Sequence, residues 1–180
     1  NKIHNKKLKK NFTKAETLNF INQNFKKYKI KNILIPHFIF FSKSEFRKNK
    51  KKTILEIKKK FRKKKIIIRS SSLSEDNENL SNAGKYLSIS NLRSDSKLVE
   101  QSIVKIIKKF DSPKDQILVQ ELIEKTEMSG VIFTREPNYN SPYYIINYDT
   151  SGKTNIITSG KNNNSIQTIC IFRNKIDFNI

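Results

Sequence analysis

Residues 66–87 read IIIRSSSLSEDNENLSNAGKYL. The run Ile66-Ile67-Ile68 sits between a lysine tract and a polar stretch, the pattern of a short buried strand. Such a strand delivers Arg69, Ser70, Ser71 and Ser72 into a loop that also carries Glu75, Asp76 and Gly84. An arginine at a strand end can fork onto phosphate oxygens, and successive serines with their N–H groups make an anion cradle. A serine-rich turn beside a surface arginine would read the same way, so the flanking sequence has to decide.

Upstream, Thr13-Lys14-Ala15-Glu16 is a capping box, followed by Leu18, Ile21, Phe25 and Tyr28 at helical spacing. Residues 33–41 form an apolar run whose Pro36 suits an edge or entry strand. Ser44 can cap a short helix over 45–50. Thr53 with Glu56 forms a second capping box, opening a helix with Ile54, Ile57 and Phe61 on one face. Downstream, residues 85–90 alternate like a strand. Asp95–Phe110 then carries Val99, Ile103, Ile106, Ile107 and Phe110 on one stripe, and Asp111-Ser112-Pro113 stops that helix. Strands follow at 116–123, 129–134, 143–149, 154–159 and 165–173, separated by Asn, Gly, Ser and Pro. The order is mixed α and β first, then mainly β.

Two further segments carry polar groups in patterned positions. Residues 118–137 (LVQELIEKTEMSGVIFTREP) place Met128-Ser129-Gly130 before a strand that ends Phe133-Thr134-Arg135. Residues 146–161 (INYDTSGKTNIITSGK) hold Asp149, Ser151, Gly152, Thr158, Ser159 and Gly160. Alone, the first is a hairpin and the second two turns.

In order and spacing, these segments together resemble the N-terminal ATP-binding region of the phosphoenolpyruvate synthase and pyruvate, phosphate dikinase family. The residues that carry the resemblance are Arg69-Ser70-Ser71, Glu75-Asp76, Ser81-Asn82-Ala83-Gly84, Val119-Gln120 and the run from Ser129 to Pro137, with Lys14 at the start of the first helix. It covers about residues 12–170 and implies an ATP-grasp-like α+β fold. In that fold a mixed α/β first part is followed by a mainly antiparallel β second part, truncated at its C-terminus. The domains expected are a basic disordered tail at 1–11, a first subdomain at 12–114 with the phosphate loop, and an incomplete nucleotide-clamping subdomain at 115–180. ATP is the implied cofactor, with Mg2+. Lys14 and Arg69 would reach the phosphates. Gln120, Glu121, Leu122 and Ile123 would line the adenine through backbone groups, and Arg135 would join Arg69 near the reacting phosphate.

Pyruvate-using members carry Gly-Leu-Gly-Glu where this chain has Asp149-Thr150-Ser151-Gly152. In that feature it resembles a branch of capsule-cluster kinases typified by a glutamine kinase, so the resemblance implies a small acceptor such as glutamine, met by Asp149 and Ser151. The family's metal-binding carboxylates lie on strands beyond residue 180, and its phosphohistidine domain is not in this sequence. No metal ligand is therefore assigned here, and the partners expected are ATP, the acceptor, and those further domains of one longer chain. Phosphoryl transfer depends on metal ions and positioned cations, so these residues alone are expected to turn over poorly.

Composition limits the alternatives. There are 37 Lys+Arg against 16 Asp+Glu, a formal charge of +21, and all of that imbalance lies in residues 1–70. Of the cations, 31 are Lys and 6 are Arg, whereas readers of nucleic acid favour arginine. Lys, Asn and Ile total 79 residues and have the most A/T-rich codons, so base composition accounts for the lysines and no specific nucleic acid is expected. A pyruvate-using synthase fragment and a basic nucleic-acid-binding module are the alternative readings, and a nucleic-acid module would keep aromatics exposed among its lysines. No apolar run approaches the ~20 residues of a membrane span, and the single Cys170 excludes a disulfide framework. The expectation is a cytoplasmic kinase part with no membrane partner.

Overall fold

The computed structural model describes residues 12–30, 32–73, 87–152 and 165–173. Their elements run α1 (Lys14–Lys27), β1 (Phe38–Ser42), α2 (Lys43–Phe61), β2 (Lys65–Ser71), β3 (Ser88–Arg93), α3 (Leu98–Ile107), β4 (Gln116–Glu121), β5 (Ser129–Phe133), β6 (Tyr143–Asp149) and β7 (Gln167–Phe172). The chain divides into two compact units, residues 1–122 and 123–180. Both sheets are antiparallel in every pairing found, so the α+β expectation holds.

In the first unit the strand order is β1-β4-β2-β3. Strand β4 lies at the centre, pairing with β1 from Phe38↔Gln120 to Ser42↔Gln116 and with β2 from Ile66↔Glu121 to Ser71↔Gln116. Residues 116–121 lie within the first sheet, and the two compact units meet at Leu122/Ile123, whereas the expectation sets a boundary at 114/115. The expected tail at 1–11 lies outside the described residues.

Alternation sorts the sheet's side chains into two faces. Ile66, Ile68, Ile117 and Val119 join Phe46, Ile57 and Phe61 of α2 and Val99, Ile103, Ile106 and Ile107 of α3 in one buried cluster. Burying side chains of this size contributes about 1.5–3 kcal/mol each, which makes this layer the main source of the unit's stability. The opposite face carries Phe38, Phe40, Leu118, Gln120, Ile67 and Arg69.

Helix α2 departs from its expected start. Its N-cap is Ser42, whose Oγ accepts from the Glu45 N–H while Glu45 accepts from the Ser42 N–H, so the capping box sits two residues before Ser44. Thr53 opens no helix. It lies buried mid-helix, its hydroxyl donating to the Asn49 carbonyl four residues back, and a kink at Asn49 (φ −130°, ψ 37°) marks where two helices were expected. Strand β1 begins only at Phe38 because Pro36 has no N–H for a ladder.

The second unit is a three-stranded sheet ordered β5-β6-β7. Gly130 is required there by proximity, since a Cβ would come within 2.8 Å of the Asn147 carbonyl oxygen across the pair. The strand expected at 154–159 lies outside the described residues.

Candidate functional site

The N-terminus of α1 is tied to the ends of β2 and β4. Thr13 and Glu16 close the expected capping box. The Ala15 N–H donates to the buried Ser71 Oγ at 2.9 Å, and the Thr13 hydroxyl donates to Gln116 Oε1 at 2.6 Å. Gln116 in turn donates to Glu16 Oε1 at 3.3 Å. Ser71 is two residues beyond Arg69 on the same side of β2, a separation of about 7 Å along a strand. The packing thus brings Lys14, exposed in the first turn, to the end of the sheet that carries Arg69. The N–H groups of Ala15, Glu16 and Thr17 are taken by Ser71, the Thr13 hydroxyl and the Thr13 carbonyl, so α1 offers a phosphate the Lys14 side chain more than its backbone.

Arg69 projects from β2 on the face away from α2 and α3. Its side chain is exposed and forms no ion pair or hydrogen bond among the described residues. Its direct neighbour across β4 is Leu118, and the pair Ile67↔Gln120 lies one step further along the same face. Arg69 and Gln120 therefore share one surface. Ser70 and Ser72 are buried, and the Ser72 hydroxyl donates to Asp115 Oδ1 at 2.7 Å, while Asp115 Oδ2 accepts from the Ser112 N–H. The serine run thus partly serves to pin β2 to the turn before β4. Glu75, Asp76 and Ser81–Gly84 lie outside the described residues.

The segment 120–123 splits between surfaces. Gln120 faces with Arg69, but Glu121 points to the opposite side, where Lys64 Nζ lies 2.6 Å from Oε1 and His37 Nδ1 lies 3.2 Å from Oε2. The Lys64 ammonium, with a smaller contribution from His37, holds the Glu121 carboxyl below its ordinary range. The Glu121 N–H donates to the His37 carbonyl and the Leu122 N–H to the Lys65 carbonyl. Those two donors complete the sheet and are not offered to a base. Ile123, exposed, follows the last pairing of β4 and begins the second unit.

In the second unit Arg135 is exposed and donates from Nη1 to the Asn140 carbonyl at 3.1 Å, closing the loop between β5 and β6. The Asp149 side chain is fully buried, and its Oδ2 accepts from the Ser151 N–H at 3.0 Å and from the Ser151 hydroxyl. Gly152 follows with φ +75°, and the Thr126 hydroxyl donates to its carbonyl at 2.6 Å. Asp149 and Ser151 thus engage each other in a turn held against Thr126, a role that spacing alone does not reveal. Among the described residues no group of three or more His, Cys, Asp or Glu is placed to hold a metal ion. The implied magnesium thus has no ligand set among the described residues.

Arg69 thus stands exposed on a face whose neighbouring Leu118 is buried and whose Ser71 anchors α1. The family model for the pyruvate phosphate dikinase AMP/ATP-binding domain matches residues 21–114, and the chain belongs to that family of ATP-binding phosphotransferase domains. The matched span contains Arg69 and its serines but not Lys14, Gln120–Ile123, Arg135 or Asp149. No curated protein matches the chain. No helix among the described residues is long and apolar enough to cross a membrane.

Proposed function

We propose that this chain is the ATP-binding part of a phosphotransferase, with the sheet face that bears Arg69 receiving the nucleotide. The observation that carries the reading is Arg69 itself, an exposed guanidinium with no carboxylate partner among the described residues, inside the family-matched span. Its planar fork suits two phosphate oxygens, and Lys14 at the neighbouring helix start adds a point charge. Gln120, on the same face as Arg69, would meet the rest of the nucleotide. Arg135 is assigned to the reacting phosphate only through the resemblance. The magnesium carboxylates and the phosphohistidine carrier come, on this reading, from outside residues 1–180.

For the acceptor, an amide such as glutamine and pyruvate both remain proposals. The amide reading rests on Asp149-Thr150-Ser151-Gly152, yet the buried Asp149 carboxylate is engaged by Ser151, which weakens its claim to a substrate. The pyruvate reading draws on the family's own description and is at least as well supported. Phosphorus NMR of the full-length protein with ATP, magnesium and each acceptor in turn separates them. A phosphoramidate signal with glutamine supports the amide, phosphoenolpyruvate supports the synthase reading, and ATP left intact with every acceptor contradicts the phosphotransferase assignment.

A further inference from the structure

On the opposite side of the first sheet, where α2 ends, a cavity of about 730 Å3 is lined by His37, Ile39, Glu56, Lys59, Lys60, Arg62 and Lys64. Four of its seven lining residues are cations, and among the described residues Lys59, Lys60 and Arg62 have no ion pair. Lysines in a last helical turn complement the helix dipole, which accounts for Lys59 and Lys60. Arg62 and Lys64 lie beyond the helix end, outside that explanation. The turn that carries them is unfavourable in itself: Arg62 and Lys63 are consecutive non-glycine residues at φ 43° and 66°, where glycine or asparagine fits with less strain. Arg62 and Lys64, from a left-handed turn written entirely in cations, flank the cavity with Lys59 and Lys60, against one lining carboxylate, Glu56, and Glu121, which pairs with Lys64. The half negative charge of the α2 terminus offsets only a fraction of them.

We propose that this cavity is a second anion site, taking a multiply charged phosphate group, and that Glu121 couples it to the nucleotide segment. A phosphate here would draw on Lys64, the cation that now holds Glu121 at 2.6 Å, and so loosen the end of β4 that leads into Ile123. Lys64 is five residues before Arg69, about 16 Å of strand, and the cavity lies on the other face, so one phosphate cannot touch both. The coupling rests on the nucleotide reading above, whereas the anion site does not.

Calorimetric titration of the full chain with tripolyphosphate at about 150 mM salt tests the site. Saturable binding is expected, retained in Arg69→Ala and at least tenfold weaker in the double variant Lys60→Gln/Arg62→Asn, asparagine being chosen because it tolerates the left-handed turn. Loss of binding in Arg69→Ala, or no effect of the double variant, overturns the site. A parallel arm uses a short single-stranded RNA. RNA binding that depends on Lys60 and Arg62 while tripolyphosphate fails to bind would make a polymer backbone the occupant and overturn the small-anion assignment. Coupling predicts that saturating tripolyphosphate shifts ATP affinity at least threefold in the wild type and not in Glu121→Gln; an equal shift in both contradicts it. A chain that binds tripolyphosphate as described but never binds ATP fails the nucleotide reading and the coupling while leaving the anion site standing.

Discussion

Glu121 shows how a single residue can be placed by sequence and still be misread. It stands beside Gln120 in the string, and a strand necessarily sends the two side chains to opposite faces. Its carboxylate joins Lys64 and His37 instead of the surface that carries Arg69. Because the folded carboxyl is held below its ordinary value, the unfolded chain takes up the proton first as pH falls. The stabilisation is therefore complete above about pH 4.3, the ordinary glutamate value, and is lost as pH drops through the lower folded value. Glu121→Gln should flatten that acid-side loss. Urea midpoints of the two proteins between pH 6 and pH 3 measure it, and parallel pH profiles would show the pair contributes nothing. Arg69 also departs from its expected setting: β2 runs on to Ser71, so Arg69, Ser70 and Ser71 are paired with β4 and only Ser72 lies beyond the strand.

At the scale of elements, local signals served well where they acted alone. The capping box at Thr13 and the stripe of α3 stand where periodicity puts them. The second box at Thr53 is absent because Thr53 stands inside α2, where its hydroxyl donates back to the Asn49 carbonyl. The anchoring of α1 through Ser71 links residues 56 apart in sequence and left no local trace. Ser71→Ala would strand the buried Ala15 N–H, and a loss of about 1–3 kcal/mol is expected in denaturant unfolding. An unchanged midpoint would mean α1 is not held by that bond. In the second unit, Gly152 is left-handed and a Cβ there would stand 2.6 Å from the Thr126 carbonyl oxygen. Gly152→Ala should therefore destabilise by at least about 1–2 kcal/mol. Thermal unfolding followed by circular dichroism checks it, and a wild-type midpoint would remove the turn from the account.

At the scale of the whole molecule, 12 of the 24 Lys and Arg of residues 1–70 lie on α2 and the turn that ends it at Lys64. Phe61 is buried as a core residue should be, whereas Phe20 is 44% exposed and stacks on Phe12, so the aromatic test separated the readings less cleanly than its logic suggested. The central place of β4 left no trace in composition: it follows α3 in the chain yet pairs with both β1 and β2, and no composition shift at 114 or 122 announces it. The family was legible because its motifs sit in one order, and the matched span covers the one motif on which the central claim rests. That claim is that ATP is held on the face of the first sheet bearing Arg69. Calorimetry of Mg-ATP binding to the wild-type chain and to Arg69→Ala tests it most directly. The account predicts binding that weakens by at least about 1.5 kcal/mol, roughly tenfold, when the guanidinium is removed. Equal affinity in the two proteins would contradict it.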